Sequence, residues 1–350
     1  MQWLSSHLHH SRRSAAARRR TGSLRLEALE ERRLFSTLTV TNLHDGGAGS
    51  LRANIAAAQS GDTIVFSPTI PLPNSITLSS GELLLTRNLN IRGPSTSQLT
   101  ISANDTSRVF KVATGATVAL SSLTISRGWG APSGGYGGGI LNNGTLTVSN
   151  CTAFNNGAIY GAGICNLGGN LTVSNCTLSA NYATGLAGGG IYNAGGNVTV
   201  NNTTFDSNNS HFGGAIYNTG GSLTLSNSTL TNNWVRPTYN GGGGLGGALY
   251  NTAGTVTISN STLSGNISYI GTLNGGGGGI YNAPDGTVVV KNFSSITGNT
   301  CSFEGESAPE DVNNLGRLYR DSTSTIGVLV GNPALALPIR ALRFDSQVTQ

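Results

Sequence analysis

Eight aromatic side chains occur at recurring places in the sequence and could bind a ligand through their ring faces. They lie in or near the segments whose length varies most between repeats, at Trp129, Tyr136, Tyr160, Tyr182, Phe212, Trp234, Tyr239 and Tyr269. Aromatic rings offer large contact areas, and variable loops on a rigid scaffold commonly carry binding residues. We therefore predict a stripe of rings that binds a polysaccharide or a surface protein. The alternative is that the rings fold back and cover loop backbone.

Carboxylates are too sparse in the repeats for paired acid and base catalysis. Only Asp206 and Asp285 are acidic between residues 113 and 300. They are expected three coils apart, at least roughly 14 Å, whereas carboxylate pairs that cleave glycosidic bonds lie about 5 to 9.5 Å apart. We predict no catalytic residue there. A further acidic patch, which a solvated loop explains, comprises Glu304, Glu306, Glu310 and Asp311.

Cysteine, histidine and the upstream basic residues indicate no further chemistry. Cys151 and Cys176 occupy the same position in adjacent repeats, which suits either a disulfide or two stacked thiols. The five histidines show no metal-ligand spacing, so neither a metal nor a cofactor is predicted. Arg108 and Lys111 lie on an upstream strand and are expected to face solvent.

The elements that would position these residues form a repeat. Six units begin with Gly-Gly-Ile or a close variant, and their first apolar residues are Ile140, Ile164, Ile191, Ile216, Leu249 and Ile280. Their spacings of 24, 27, 25, 33 and 31 residues suit one β-coil with loops of variable length. Each unit alternates apolar and polar residues, so its apolar face becomes buried only between stacked neighbours. The sequence predicts an all-β fold, a right-handed parallel β-helix.

Columns of equivalent residues follow from this register. The predicted inward columns are Leu146, Leu171, Val198, Leu223, Val256 and Val288; Val148, Val173, Val200, Leu225, Ile258 and Val290; and Phe154, Leu178, Phe205, Leu230, Leu263 and Ile296. Three predicted columns of Asn are Asn142, Asn166, Asn193, Asn218, Asn251 and Asn282; Asn150, Asn175, Asn202, Asn227, Asn260 and Asn292; and Asn156, Asn181, Asn208, Asn233, Asn266 and Asn299. In-register amides can hydrogen bond between coils, and Asn tolerates the left-handed backbone of a sharp corner. A separate structural stack is predicted for Tyr192, Tyr217, Tyr250 and Tyr281.

The two ends of the chain differ from the repeats. Residues 38–127 are less regular, as capping coils are expected to be. Ser50 is the predicted N-cap of a helix from Leu51 to Gln59 that plugs the N-terminal end of the solenoid. The predicted organisation is an Arg-rich leader at 1–37, a β-helix at 38–330 with six regular repeats at 128–300, and a tail at 331–350.

Charge and hydropathy exclude two classes of partner. The net charge is +5, and residues 1–33 hold eight Arg against three Glu, so the rest of the chain is neutral. A neutral body has no basic face, and we predict no nucleic-acid binding. No apolar run approaches the roughly 18 residues of a membrane span, so none is predicted.

Short motifs resemble known bacterial families. Residues 42–66, with Gly-Ser-Leu-Arg at 49–52 and Gly-Asp-Thr-Ile-Val-Phe at 61–66, resemble the capping segment of bacterial right-handed β-helix repeat proteins. The later units resemble polymorphic outer-membrane protein repeats, with Gly-Gly-Ala-Ile at 213–216 and Phe-x-x-Asn at 205–208. Residues 26–34 resemble the N-terminal motif of planctomycete extracellular proteins. These resemblances imply a protein outside the cell or at its surface.

The sequence favours an exported, non-catalytic β-helix that acts as an adhesin or a carbohydrate-contacting scaffold. The alternative is a polysaccharide lyase or glycoside hydrolase of the β-helix type. That alternative needs an acid cluster with a nearby Lys or Arg on one face, which the repeats lack. A spacer without a ligand is a third interpretation.

Overall fold

The computed structural model describes residues 35–237, 242–270, 276–303 and 306–337. Across these ranges the chain winds into a solenoid of parallel strands with three sheets and one α-helix, Leu51–Ala57. Neighbouring coils pair residue by residue with the register that the repeat spacing predicts. The predicted all-β class and the parallel β-helix are confirmed.

Sheet A takes two strands from most coils. The first strands are Leu83–Leu85, Phe110–Val112, Ile140–Asn142, Ile164–Leu167, Ile191–Ala194, Ile216–Asn218, Val312–Asn314 and Leu329–Gly331. The second strands are Thr37–Val40, Thr63–Phe66, Leu89–Arg92, Thr117–Ser121, Thr145–Ser149, Asn170–Ser174, Asn197–Asn201, Ser222–Ser226, Arg317–Arg320 and Leu335–Ala336. In two coils both strands are continuous, Leu249–Ser259 and Ile280–Lys291.

Sheets B and C complete each coil. Sheet B comprises Asn74–Thr77, Leu99–Ser102, Thr124–Ser126, Thr152–Phe154, Thr177–Ser179, Thr204–Asp206, Thr229–Thr231, Thr262–Ser264, Ser295–Ile296 and Thr325–Ile326. Sheet C comprises Gly157–Tyr160, Tyr182–Ala187, Asn209–Ser210, Trp234–Val235, Ile267–Tyr269, Thr300–Phe303 and the antiparallel Glu306–Pro309. A 3-10 turn at Ala131–Ser133 precedes the first regular coil. Sheet C occupies segments that the sequence pattern indicates as loops.

The core is a set of inward columns, and one predicted member is wrong. Every other predicted inward side chain is at most 3% exposed. Phe154 is 46% exposed, and Ala153 pairs with Leu178 in its place. The reason is the spacing to the next corner. Leu178 stands three residues before Asn181, and Ala153 likewise stands three residues before Asn156, whereas Phe154 stands only two before it, so Ala153 takes the inward position.

The predicted capping helix is present and is two residues shorter than expected. It begins after Ser50, whose hydroxyl accepts a hydrogen bond from the Ala53 N–H at 3.1 Å, and it ends at Ala57. Leu51 and Ile55 are buried against the first core residues. The N-cap signal in the sequence therefore marked the helix start correctly.

Asp45 ties this N-terminal cap to the next coil. Its carboxylate accepts the backbone N–H groups of Ser79 and Ser80 at 2.9 and 2.7 Å and pairs with Arg52 at 2.7 Å. Burial acts to raise the pKa of Asp45, but the hydrogen bonds from Ser79, Arg52 and Ser80 outweigh it and lower that pKa below its usual value. The fold therefore stabilises the ionised carboxylate.

Two of the three Asn columns are buried amide ladders. From Asn142 to Asn314, the Nδ2 of each residue donates to the Oδ1 of the next at 2.6 to 3.0 Å. From Asn156 to Asn299 the same bonds measure 2.8 to 3.0 Å, and these amides also donate to backbone carbonyl oxygens of the preceding coils. The second ladder ends where Asn299 donates to Asp311 at 2.8 Å. Buried amides are thus satisfied by their neighbours in the stack.

The remaining Asn column forms an exposed corner between sheets A and B. All six members have left-handed backbone with φ between 47° and 55°. A second left-handed column, absent from the predictions, precedes the buried ladder at the corner between sheets B and C and includes Asn155, Ala180, Ser207 and Asn232. Ala180 has φ 52°, a conformation that costs an L-residue with Cβ about 1 to 2 kcal/mol.

A further ladder of thiols and hydroxyls contains Cys151 and Cys176. The backbone N–H of Cys151 donates to Cys176 Sγ, and that of Cys176 donates to Thr203 Oγ1, both at 3.4 Å. The pattern continues through Ser228, Ser261, Ser294 and Ser324. Both thiols are free, and burial raises their pKa values to about 12 for Cys151 and about 11 for Cys176. Stacked thiols, rather than a disulfide, are present.

Candidate aromatic binding site

Sheet C carries two aromatic rings stacked over a glycine. Trp129 and Tyr182 lie in one column with Gly157 between them, and both rings are partly exposed. Their centroids are 5.8 Å apart and their planes differ by 28°. A Cβ on Gly157 would lie 2.5 Å from the Trp129 ring and 2.6 Å from Tyr182 Cζ, so a side chain there would separate the rings. We call Trp129, Gly157 and Tyr182 the aromatic platform.

An ion pair accompanies this platform. Arg127 donates from Nη2 and Nε to Asp105 Oδ2 at 2.6 and 2.9 Å, and both side chains are nearly half exposed. Burial, followed by the nearby Asp105 charge, raises the pKa of the Tyr182 hydroxyl, which therefore stays protonated at neutral pH. Ring faces, a phenol, a carboxylate and a guanidinium are thus grouped on one surface. These groups suit a ligand with apolar faces and several hydroxyls.

A second aromatic pair continues the same column. Trp234 follows Tyr182 two coils later, and its ring meets Tyr269 at 6.2 Å in an edge-to-face arrangement with an 85° interplanar angle. Tyr269 is 40% exposed. An edge-to-face pair leaves ring faces that are not covered by the partner ring. Tyr239, the remaining predicted ring of this loop, lies outside the described residues.

The other three predicted binding rings belong to a different structure. Tyr136, Tyr160 and Phe212 join the predicted tyrosine stack on the outward side of sheet A, which is confirmed as a stack. From Tyr136 to Tyr281 successive ring centroids are 4.8 to 5.6 Å apart. The contacts range from stacked rings at Tyr217–Tyr250 to an edge-to-face pair at Tyr250–Tyr281, and this continuous packing of ring on ring favours a structural role. The seven described rings therefore divide between sheet C and the outward side of sheet A.

Arg108 anchors the backbone at Tyr136, the first residue of the stack. The expectation that it faces solvent is wrong, because it is 1% exposed. Its guanidinium donates to the carbonyl oxygens of Tyr136 and Gly137 at 2.6 to 2.9 Å and pairs with Glu82. Burial lowers the pKa of Arg108 and the Glu82 charge opposes that shift. Lys111 is more exposed and lies 4.0 Å from the same carboxylate.

The acidic patch is only partly the solvated loop expected from its sequence. Glu310 and Asp311 are 7% and 3% exposed, so the expectation is wrong for both. Glu310 accepts the Gly277 N–H and the Asn313 amide at 3.1 and 3.0 Å, and Asp311 terminates the amide ladder. Glu306 is exposed, and Glu304 lies outside the described residues. Both buried carboxylates have structural partners.

Within the described ranges, no three His, Cys, Asp or Glu side chains come together in a way that could hold a metal ion. His211 is buried, with Nδ1 3.0 Å from the Arg236 carbonyl oxygen. No described helix combines the length and hydrophobicity of a membrane-crossing segment.

Comparison with known proteins places the fold in a family. Residues 76–263 match the family model described as the right handed beta helix region. The chain belongs to the right-handed β-helix family. No curated protein sequence matches this β-helix protein.

Two solved structures are similar to this β-helix protein. One is pectate lyase Pel9A, with TM-score 0.54 and 16% identity over 87% of this chain and 80% of the other. Another is a mannuronic acid specific polysaccharide family 6 lyase from human gut microbiota, with TM-score 0.33 and 11% identity over 88% and 84%. At these identities the likeness shows the fold alone.

Proposed function

We propose that this β-helix protein is an extracellular or cell-surface scaffold that binds polysaccharide without cleaving it, in the manner of an adhesin. The observation that carries the proposal is the column of partly exposed rings on sheet C. It comprises the aromatic platform and the Trp234–Tyr269 pair.

The spacing of these rings suits a polymer rather than a single sugar. Tyr182 and Trp234 stand two coils apart, about 10 Å, in the same column. A chain laid along the solenoid axis would meet the platform, then the second pair. The Asp105–Arg127 pair beside the platform supplies hydrogen-bonding groups for sugar hydroxyls.

The proposed location rests on sequence resemblance. The repeats resemble those of polymorphic outer-membrane proteins, and residues 26–34 resemble an N-terminal motif of planctomycete extracellular proteins. Fractionation of cells that express the full chain tests this part separately from ligand binding. Recovery only from the cytoplasm would contradict it.

Cleavage of a polysaccharide is the second candidate function. The solved structure with TM-score 0.54 to this chain is a pectate lyase. That likeness supports a cleaving enzyme more than it supports a non-catalytic scaffold. Asp105 is the candidate base and Arg127 the candidate cation that would stabilise developing negative charge, because they form an exposed charged pair beside a ring platform. An Asp105→Asn variant would then abolish cleavage while binding persists.

The experiment is a polysaccharide-binding screen on the full chain, with reducing ends and unsaturated products assayed in parallel. Trp129→Ala with Trp234→Ala removes one ring from each pair, and Gly157→Ala keeps both platform rings but forces them apart. Phe293→Ala is the matched control, because that ring is 75% exposed away from sheet C.

We expect the unaltered protein to bind without forming products. The sheet C variants should bind more weakly, by about tenfold for each 1.4 kcal/mol of binding free energy that the substitution removes. The Phe293 variant should bind as the unaltered protein does. Products that disappear in Asp105→Asn would establish the second candidate instead. Equal binding by all variants would refute the sheet C site.

A further inference from the structure

A column of five threonines runs along the outward side of sheet A. It occupies the central position of the second strand in five successive coils, at Thr147, Thr172, Thr199, Thr224 and Thr257. The register is unbroken across these coils, so the threonines repeat at the strand spacing of about 4.8 Å. Each is exposed or partly exposed.

Two flanking columns widen this column into a face without charge. One side carries Thr145, Asn170, Asn197, Ser222 and Thr255, and the other carries Ser149, Ser174, Asn201, Ser226 and Ser259. Columns two residues apart on a strand are separated by about 6.7 Å. The result is a two-dimensional array of hydroxyl and amide groups, which we call the threonine face.

The central hydroxyls are available to a ligand. Within the described residues, none of the five central threonine hydroxyls hydrogen bonds to another protein group, whereas the flanking columns bond to one another. Ser222, for example, donates to Asn197 Oδ1 at 2.8 Å. The central column therefore presents a row of methyl and hydroxyl groups whose hydrogen bonds must be made outside the protein.

The regularity is not a requirement of the fold. In the coils before and after, the same column holds Asn90, Ala119, Val289 and Tyr319, and the flanking positions include Lys291. Outward positions pack against nothing in the core, so stability alone accepts any of these residues. Sheet B also carries a threonine column, at Thr152, Thr177, Thr204, Thr229 and Thr262, but the column beside it contains Phe154 and Asp206. Threonine is favoured in strands, so the column alone does not indicate a ligand. The distinguishing feature of the threonine face is that hydroxyl and amide groups without charge flank its threonines on both sides, which indicates a partner with a matching, uncharged repeat.

We propose that the threonine face binds ice. Ice presents uncharged, hydrogen-bonding water oxygens in flat rows whose spacing is close to that of adjacent β-strands. Threonine hydroxyls can join such rows while the methyl groups order the water between them. The absence of charge disfavours an anionic polymer or a metal ion, and the absence of rings disfavours the stacking proposed for sheet C. The proposal is thus independent of the proposed function.

The test is partition of the full chain into a slowly growing ice front, together with microscopy of single ice crystals. Thr199→Lys with Thr224→Lys places two charges at the centre of the face. Thr204→Lys with Thr229→Lys is the matched control, because those threonines repeat on sheet B in the same coils and their hydroxyls are equally unbonded within the described structure, but the neighbouring column carries the charged Asp206. Unfolding midpoints of all proteins are compared to establish that the fold is kept.

We expect the unaltered protein and the sheet B variant to enrich in ice and to shape crystals. The sheet A variant should fall to the level of a bystander protein. Trp129→Ala with Trp234→Ala should leave ice binding unchanged, which separates this proposal from polysaccharide binding. No enrichment of the unaltered protein, or equal loss in both lysine variants, overturns the proposal. Capture by microcrystalline cellulose instead of ice, lost in the sheet A variant, would also overturn it.

Discussion

Replacing Asn208 by Ala tests how far the buried amide ladder stabilises the solenoid. Asn208 is 0% exposed and donates from Nδ2 to the Leu178 carbonyl at 2.8 Å and to Asn233 Oδ1 at 3.0 Å. Its Oδ1 accepts the backbone N–H and the amide of Asn181 at 3.1 and 2.9 Å. The variant leaves four buried groups with a bond lost: the Leu178 carbonyl, two N–H groups of Asn181, and Asn233 Oδ1, which keeps its bond from the Asn208 backbone N–H at 3.0 Å.

Each buried group left without a partner costs about 1 to 3 kcal/mol. The Asn181 amide keeps its bond to the Ala153 carbonyl at 3.0 Å, so the lower part of that range applies. We expect Asn208→Ala to reduce the free energy of unfolding by about 3 to 5 kcal/mol. An Asn202→Gly variant is the control, because it removes an exposed amide yet keeps the left-handed backbone of the corner. Its expected cost is within about 1 kcal/mol.

Urea unfolding followed by circular dichroism gives the free energies. A solenoid can open coil by coil, so hydrogen exchange must show where protection is lost. We expect the loss in the coils on either side of residue 208. If Asn208→Ala costs no more than Asn202→Gly, the reasoning from unsatisfied buried amides is refuted.

Three further predictions concern the cap, a corner and the thiols. The folded pKa of Asp45 is lowered, so its stabilisation is present above the unfolded pKa near 3.9 and is lost as pH falls through the folded pKa. Asp45→Asn should therefore lower the melting temperature at neutral pH and flatten its fall on acidification; parallel curves would contradict this. Ala180→Gly should raise the free energy of unfolding by about 0.5 to 1 kcal/mol, and with it the urea midpoint, because it relieves a left-handed backbone. A lowered midpoint would count against that strain. The double variant Cys151→Ser with Cys176→Ser should fold normally. In the unaltered protein, a thiol reagent should label Cys151 and Cys176 only after unfolding, since their pKa values are about 12 and about 11. Rapid labelling of the native protein would show that the thiols are accessible.

Much of the fold was predictable because each coil repeats the same local rule. Alternating apolar residues identified the inward columns, and Ser50 identified the helix start. The inward position of Phe154 is mispredicted because a Phe suits an apolar column better than the neighbouring Ala153, although the distance to Asn156 indicates Ala153. The thiol and hydroxyl ladder was also visible, since Cys, Thr and Ser occupy one position in successive units.

The candidate site was harder to predict because it depends on contacts between coils. The short strands of sheet C lack an alternating pattern, so their residues read as loops, and Gly157 gives no sign that two rings meet above it. Arg108 is buried by carbonyl groups 28 and 29 residues away, which no local pattern reveals. The division of the rings between sheets A and C follows from such contacts.

Asp311 has a consequence for the size of the molecule. All amides in the ladder from Asn156 point the same way, and the last one donates to this carboxylate, which can accept hydrogen bonds but not pass one on. A duplicated unit inserted upstream would receive a bond and donate one, whereas a unit added after Asp311 would find no donor. Asp311 directly precedes Val312, which pairs with Ile280, so it belongs to the start of the next coil and not to the Asn column. It therefore fixes the length of this amide ladder, which can grow only by duplication of interior units, whereas sheets A and B continue beyond it.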